Sequence, residues 1–167
     1  MHPAELTEEQ LLVECDQRML RRGGPGGQHR NKVETAVALT HRPTGIQAEA
    51  NERRSQVDNR RNAIFRLRLA LATDYRSKAP ALPQSPSPRW QSRAHNGRIR
   101  VAATHDDFPA VLAELLDFLN VCSFEVSQAA EHFGVTSSQL IKLLREHPPA
   151  LAIVNAHRQS HGLHKLG

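Results

Sequence analysis

Between residues 79 and 98 the chain carries Pro80, Pro83, Pro86 and Pro88, with Ser85, Ser87 and Ser92 among them. Proline lacks the N–H that a helix interior or a central strand needs, so no regular element is expected to run through this stretch. It reads as an extended linker. It divides the 167 residues into residues 1–78, the linker 79–98, and residues 99–167. That length suits one ordinary domain or two small ones.

The two outer parts differ in charge. From Arg18 to Lys78 there are 14 lysines and arginines against 5 acidic residues, a net +9. From Thr104 to Glu146 there are 2 against 7, a net −5. The first part is suited to a polyphosphate partner, and nucleic acid is the expected one. Cys15 and Cys122 are far apart and form no CxxC, which argues against a disulfide framework or a zinc site and suits a reducing cytosol. Glu5, Glu8 and Glu9 without a long apolar run do not make a signal peptide, and no stretch approaches the roughly 20 apolar residues of a membrane span.

Within residues 1–78 the pattern predicts an α+β fold, a small antiparallel sheet with a packed helix. Val13 to Leu20 reads as a strand leading into a glycine loop. Thr35 to His41 and Ile46 to Ala50 alternate about the turn Pro43-Thr44-Gly45, which predicts an antiparallel hairpin. Ser55 followed by Asp58 is a variant capping box that starts a helix, expected to bury Val57, Ile64, Leu67 and Leu71. Residues 99–167 are expected to form a small all-helical module.

The loop is Arg21-Arg22-Gly23-Gly24-Pro25-Gly26-Gly27-Gln28-His29-Arg30-Asn31-Lys32. Its glycines let the backbone approach a ligand closely, and Pro25 stiffens one point. Arg21, Arg22, Arg30 and Lys32 are placed to meet phosphates. His29 breaks a GxGxxG pattern, and no Gly-Lys-Ser/Thr ends a P-loop. What remains is backbone N–H groups and one neutral amide, Gln28. Such groups position water and stabilise an oxyanion. They are not strong general bases, so the substrate must already be activated, as an acyl ester on a ribose is.

Gly26-Gly27-Gln28, Asn31-Lys32, Thr35-Ala36-Val37, Thr40-His41, Pro43-Thr44-Gly45-Ile46 and Arg54-Ser55-Gln56 with Asn59 together resemble the GGQ domain of bacterial-type class I peptide chain release factors. The resemblance implies that Gln28 enters the peptidyl-transferase centre of the large ribosomal subunit. There its backbone N–H would stabilise the tetrahedral intermediate or the leaving 3′-oxygen of peptidyl-tRNA. Its side chain would orient water and exclude bulkier nucleophiles, with Gly26 and Gly27 shaping the loop. It also implies N5-methylation of Gln28 by a glutamine methyltransferase, and RNA contact at the run holding Arg54 and Gln56. The charge pattern extends that expectation to Arg53, Arg60 and Arg61, which join the basic loop on the same domain, and to the loop cations. No metal and no small-molecule cofactor is implied. Arg30 stands where the family usually has valine, and Gly23 where it has serine or alanine.

The family's codon-reading domain and its stop-recognising tripeptide have no counterpart here, Ser85-Pro86-Ser87-Pro88 being read as linker. Release from stalled ribosomes without a stop codon is therefore expected, in the cytoplasm. The alternatives are a catalytically inactive ribosome- or RNA-binding factor and a DNA-binding regulator. The last rests on residues 127–144, where Gly134-Val135-Thr136 separates two apolar-periodic helices in a helix-turn-helix pattern. Its second helix carries only Lys142 and Arg145 within an acidic module, which disfavours DNA. His157, His161 and His164 read as a basic helix face and not as a metal site.

Overall fold

The computed structural model describes residues 1–20, 35–78 and 84–167. It divides into two compact units, Pro3–Tyr75 and Arg76–Gly167.

The first unit opens with a short 3-10 turn, Pro3–Glu5, followed by helix α1, Glu8–Val13. Thr7 Oγ1 accepts from the Gln10 N–H at 3.2 Å, and Gln10 Oε1 accepts from the Thr7 N–H at 3.1 Å. This reciprocal capping box satisfies two otherwise orphaned donors, and Glu8 and Glu9 complement the helix dipole. The chain then enters β1, Cys15–Leu20, followed by β2, Ala36–His41, and β3, Gln47–Ala50. The strand order is β1-β2-β3, antiparallel throughout. Val13, expected to begin the strand, instead ends α1 and is 74% exposed. The capped turn at Thr7 commits it to helix.

The predicted β2–β3 hairpin is present. Gly45, at φ +73°, turns the chain where a side chain is disfavoured, and its N–H donates to the His41 carbonyl at 2.8 Å. His41 is buried, with Nδ1 2.8 Å from Thr44 Oγ1 and Nε2 2.9 Å from Glu14. Helix α2, Gln56–Asp74, starts where Ser55 Oγ accepts from the Asp58 N–H. Ala63, Ile64, Leu67 and Leu71 are buried, and α2 packs on β2 and β3 over Val37, Leu39 and Ala50. Val57 does not join them and is 76% exposed. The inward residue of that first turn is Asn59.

The second unit corrects the linker expectation. Residues Pro88–Arg93 form helix α3, and Ala94–His95 and Arg98–Ile99 form a two-stranded hairpin, β4 and β5. Ser87 caps α3 by accepting from the Trp90 N–H at 3.1 Å, and Pro88 sits in the first turn. There its missing N–H costs nothing. The Ser87 N–H and Oγ both donate to the Glu114 carboxylate. Trp90 is fully buried, its ring 4.0 Å from that of Phe133, and its Nε1 donates to the Phe133 carbonyl at 3.1 Å. An aromatic of this size supplies hydrophobic area that a Pro/Ser stretch otherwise lacks. Replacing Trp90 with Phe keeps most of that area but orphans the Phe133 carbonyl. We expect a loss of about 1–2 kcal/mol, read by denaturant unfolding.

Four helices complete the unit: α4 Phe108–Val121, α5 Val126–Phe133, α6 Ser137–Arg145 and α7 Pro148–Ser160. α4 buries Phe108, Val111, Leu112, Leu115, Leu116 and Leu119, the apolar set its spacing predicts. α5 ends at Gly134 in the left-handed conformation, and Thr136 caps α6. This is the turn expected between two helices. His157, His161 and His164 are all exposed, His157 and His161 at the end of α7 and His164 in the tail beyond it. His157 stacks on Phe124 at 4.6 Å, and Arg158 Nε donates to the His164 carbonyl, folding the tail back onto α7. No helix of the described residues is long and apolar enough to cross a membrane.

Candidate functional site

Gly26, Gly27 and Gln28, with Arg21, Arg22, Arg30 and Lys32, lie outside the described residues. The two ends of their segment are described. β1 finishes at Leu20 and β2 begins at Ala36, and these two residues are cross-strand partners. The segment therefore leaves and rejoins one end of the sheet on adjacent strands.

The first turn of α2 reaches both ends. Asn59 is fully buried and uses its whole amide. Its Nδ2 donates to the Thr35 carbonyl at 2.7 Å and to the Arg53 carbonyl at 2.8 Å, while its Oδ1 accepts from the Arg53 N–H at 2.9 Å. Thr35 is the first described residue after that segment. On the outgoing side, Gln56 Nε2 lies 3.0 Å from Met19 Sδ, one residue before the end of β1. One helical turn thus ties Met19 before the segment, Thr35 after it, and the backbone at Arg53 together. Asparagine is a poor helix-interior residue because its amide competes for backbone partners. Here that tendency is used, since all three partners are backbone groups from outside the helix.

The same turn sorts the charges. Glu52 is bonded by Asn62 Nδ2 at 2.7 Å and by both terminal nitrogens of Arg66, at 3.0 and 3.2 Å. Partial burial pushes its carboxyl up. Hydrogen bonds from its own and the Asn51 N–H, the Asn62 amide and the Arg66 charge outweigh this and hold it below the usual range. Glu52 is thereby committed to Arg66. Arg53, Arg54, Arg60 and Arg61 are exposed and have no carboxylate partner among the described residues. Asp58, also exposed, is the acidic residue beside them. Four solvent-facing guanidiniums beside the two ends of segment 21–34 make a positively charged patch. Of the residues expected to contact RNA, the four arginines are open to a partner, and Gln56 is engaged with Met19.

Sequence reasoning placed Asn59 in a motif without giving it a task, and did not single out Met19. The signal for Asn59 was a polar residue on the inward side of an otherwise apolar helix stripe. Nothing local marks Met19, which meets Gln56 across 37 positions of sequence.

Comparison with known proteins gives a consistent result. The RF-1 domain family matches residues 8–107, more than half the chain. Peptide chain release factor 1 of Caldicellulosiruptor saccharolyticus is 47% identical over 73 residues, 44% of this chain and 19% of that protein. Its namesake from Chloroherpeton thalassium is 55% identical over 67 residues, 40% of this chain and 18% of that protein. The chloroplastic peptide chain release factor PrfB1 of Arabidopsis thaliana is 48% identical over 67 residues, 40% of this chain and 14% of that protein. The chain thus spans less than a fifth of the length of each of these curated relatives.

Proposed function

We propose, from the premise that this chain belongs to the RF-1 domain family, that it frees nascent polypeptides by hydrolysing the peptidyl-tRNA ester on the ribosome. Water attacks the ester carbonyl, the bond to the tRNA 3′-oxygen breaks, and that oxygen leaves with a proton. The Gln28 N–H stabilises the negative charge that develops on oxygen. The Gln28 side chain orients the water and keeps larger nucleophiles out, and Gly26 and Gly27 give the backbone its close approach. Ribosomal RNA holds the ester, so no strong base is needed from the protein.

The observation that carries this reading is the hold of α2 on the strand ends that flank residues 21–34. Met19 and Thr35, on either side of that segment, are held by Gln56 and Asn59 next to exposed Arg53, Arg54, Arg60 and Arg61. RNA contact by these arginines, and by Arg21, Arg22, Arg30 and Lys32, fixes where the loop is delivered. A glutamine methyltransferase acting on Gln28 and a cytoplasmic site of action belong to the same reading.

The finer part of the proposal is that release needs no stop codon. Its support is that the Ser-Pro run is engaged in structure: Ser87 caps α3 and binds Glu114. The test is release of labelled peptide from ribosomes holding a non-stop message, compared with ribosomes carrying a stop codon in the decoding site. Equal rates are expected. Release confined to the stop-codon complex removes the codon-independent part. Binding to both without release removes the hydrolytic function and leaves a binding factor.

A further inference from the structure

The net charge of residues 104–146 speaks against nucleic acid at the C-terminal unit, but three of its acids are engaged within the unit, and the exposed Arg98 and Arg100 lie outside that span. Asp107 is bound by Arg93 and lies 3.3 Å from Arg89, Asp117 pairs with Arg76 at 3.3 Å, and Glu114 accepts from Ser87. These acids are neutralised or tied inside the unit. Arg98, Arg100, Lys142 and Arg145 are all exposed and have no carboxylate partner among the described residues.

Arg98 lies in β5 and Arg100 just beyond it, Lys142 and Arg145 lie on α6, and the two elements touch. The β4–β5 hairpin turns at Asn96-Gly97, both in the left-handed region, as two-residue hairpin loops favour. Its Gly97 carbonyl accepts from the Thr136 N–H at 3.2 Å, at the cap of α6. Arg100 and Lys142 line one groove of about 360 Å³, with Gln139 and Glu146 also on its wall. Along α6, Ser138, Lys142 and Arg145 are exposed at i, i+4 and i+7, which places them on one face. The hairpin thus extends the basic edge of the second helix of a helix-turn-helix pair.

We propose that this face, α6 with the β4–β5 hairpin, is a second nucleic-acid surface and binds the phosphate backbone of an RNA helix. The exposed stripe offers cations and one serine, a set that meets phosphates and carries little base discrimination. An A-form helix presents its backbone across a wide, shallow groove and does not admit a helix into its deep one, so backbone contact by a short stripe suits it. The choice of RNA over DNA rests on the ribosomal function proposed above. The basic face itself does not.

The test uses the full chain and a labelled RNA hairpin, with binding measured across a salt series. The Arg100→Gln, Lys142→Gln, Arg145→Gln triple variant replaces exposed side chains and is expected to retain the wild-type melt. Its affinity at about 100 mM salt should fall roughly 10- to 100-fold, and its log–log salt slope by about 2 to 3, near 0.9 for each phosphate no longer neutralised. Ser138→Lys should tighten binding and Ser138→Glu weaken it, while Lys165→Gln on the folded-back tail leaves both quantities unchanged. Unchanged affinity and slope in the triple variant overturn the surface. A duplex DNA of the same length that binds tighter, with the same losses, overturns the assignment to RNA. Peptide release is scored separately, so a wild-type chain that binds through this face but frees no peptide refutes the hydrolytic reading and not this one.

Discussion

Gln28→Pro should reduce peptide release from loaded ribosomes by about 10²–10³-fold, the usual loss when one preorganised oxyanion donor is removed. Proline is the substitution that deletes the backbone N–H, and that N–H is the group assigned to the developing charge. Gln28→Ala keeps the N–H and deletes the amide. It should slow hydrolysis less, and it should let a larger nucleophile such as hydroxylamine compete with water, because the side chain that excluded it is gone. Co-sedimentation with ribosomes should be unchanged in both, since the exposed cations Arg53, Arg54, Arg60 and Arg61 are untouched. The pair separates two roles that a single substitution confounds. If Gln28→Pro releases peptide at the rate of the unaltered chain, the backbone has no part in the chemistry.

Much of the frame around that loop was legible in the sequence because its signals are local. Alternation on either side of Pro43-Thr44-Gly45 marked β2 and β3, and Ser55 with Ile64, Leu67 and Leu71 marked α2. Gly134 marked the break between α5 and α6. Two further signals are equally local. Thr7 and Gln10 spell a capping box, and Ser87-Pro88 spells a helix start; the second was outweighed by proline density. Trp90 was the stronger clue, because a tryptophan in a solvated linker leaves a large apolar surface in water. The remainder was not readable from spacing. Asn59 meets Thr35 across 24 positions and Gln56 meets Met19 across 37. Such pairings follow from the sheet register and the docking of α2, which local patterns do not encode. Net charge misled for the same reason: Asp107 and Asp117 count as acidic surface until their arginine partners are known.

Asn59→Leu should cost the first unit about 2–4 kcal/mol, because the Thr35 carbonyl and both backbone groups of Arg53 lose their partner at a buried position. For a domain of this size that is roughly 10 °C or more of melting temperature. Asn59→Asp tests whether geometry or volume is responsible. It is nearly isosteric and keeps an acceptor for the Arg53 N–H, but turns its second oxygen toward two carbonyls. It should therefore destabilise as Leu does. Asn59→Ala leaves room for a bridging water and should cost less than either. Where the protein remains folded, the effect on release should fall on kcat more than on the ribosome concentration giving half-maximal rate. Freeing Thr35 loosens the return of the loop while leaving the arginine side chains in solvent. Hydrogen exchange gives an independent reading: the Arg53 amide, which donates to Asn59 Oδ1, should lose protection in Asn59→Leu and Asn59→Ala. If the Arg53 amide keeps its protection in Asn59→Leu, Asn59 does not hold the basic turn, and the position of Gln28 must be fixed by some other contact.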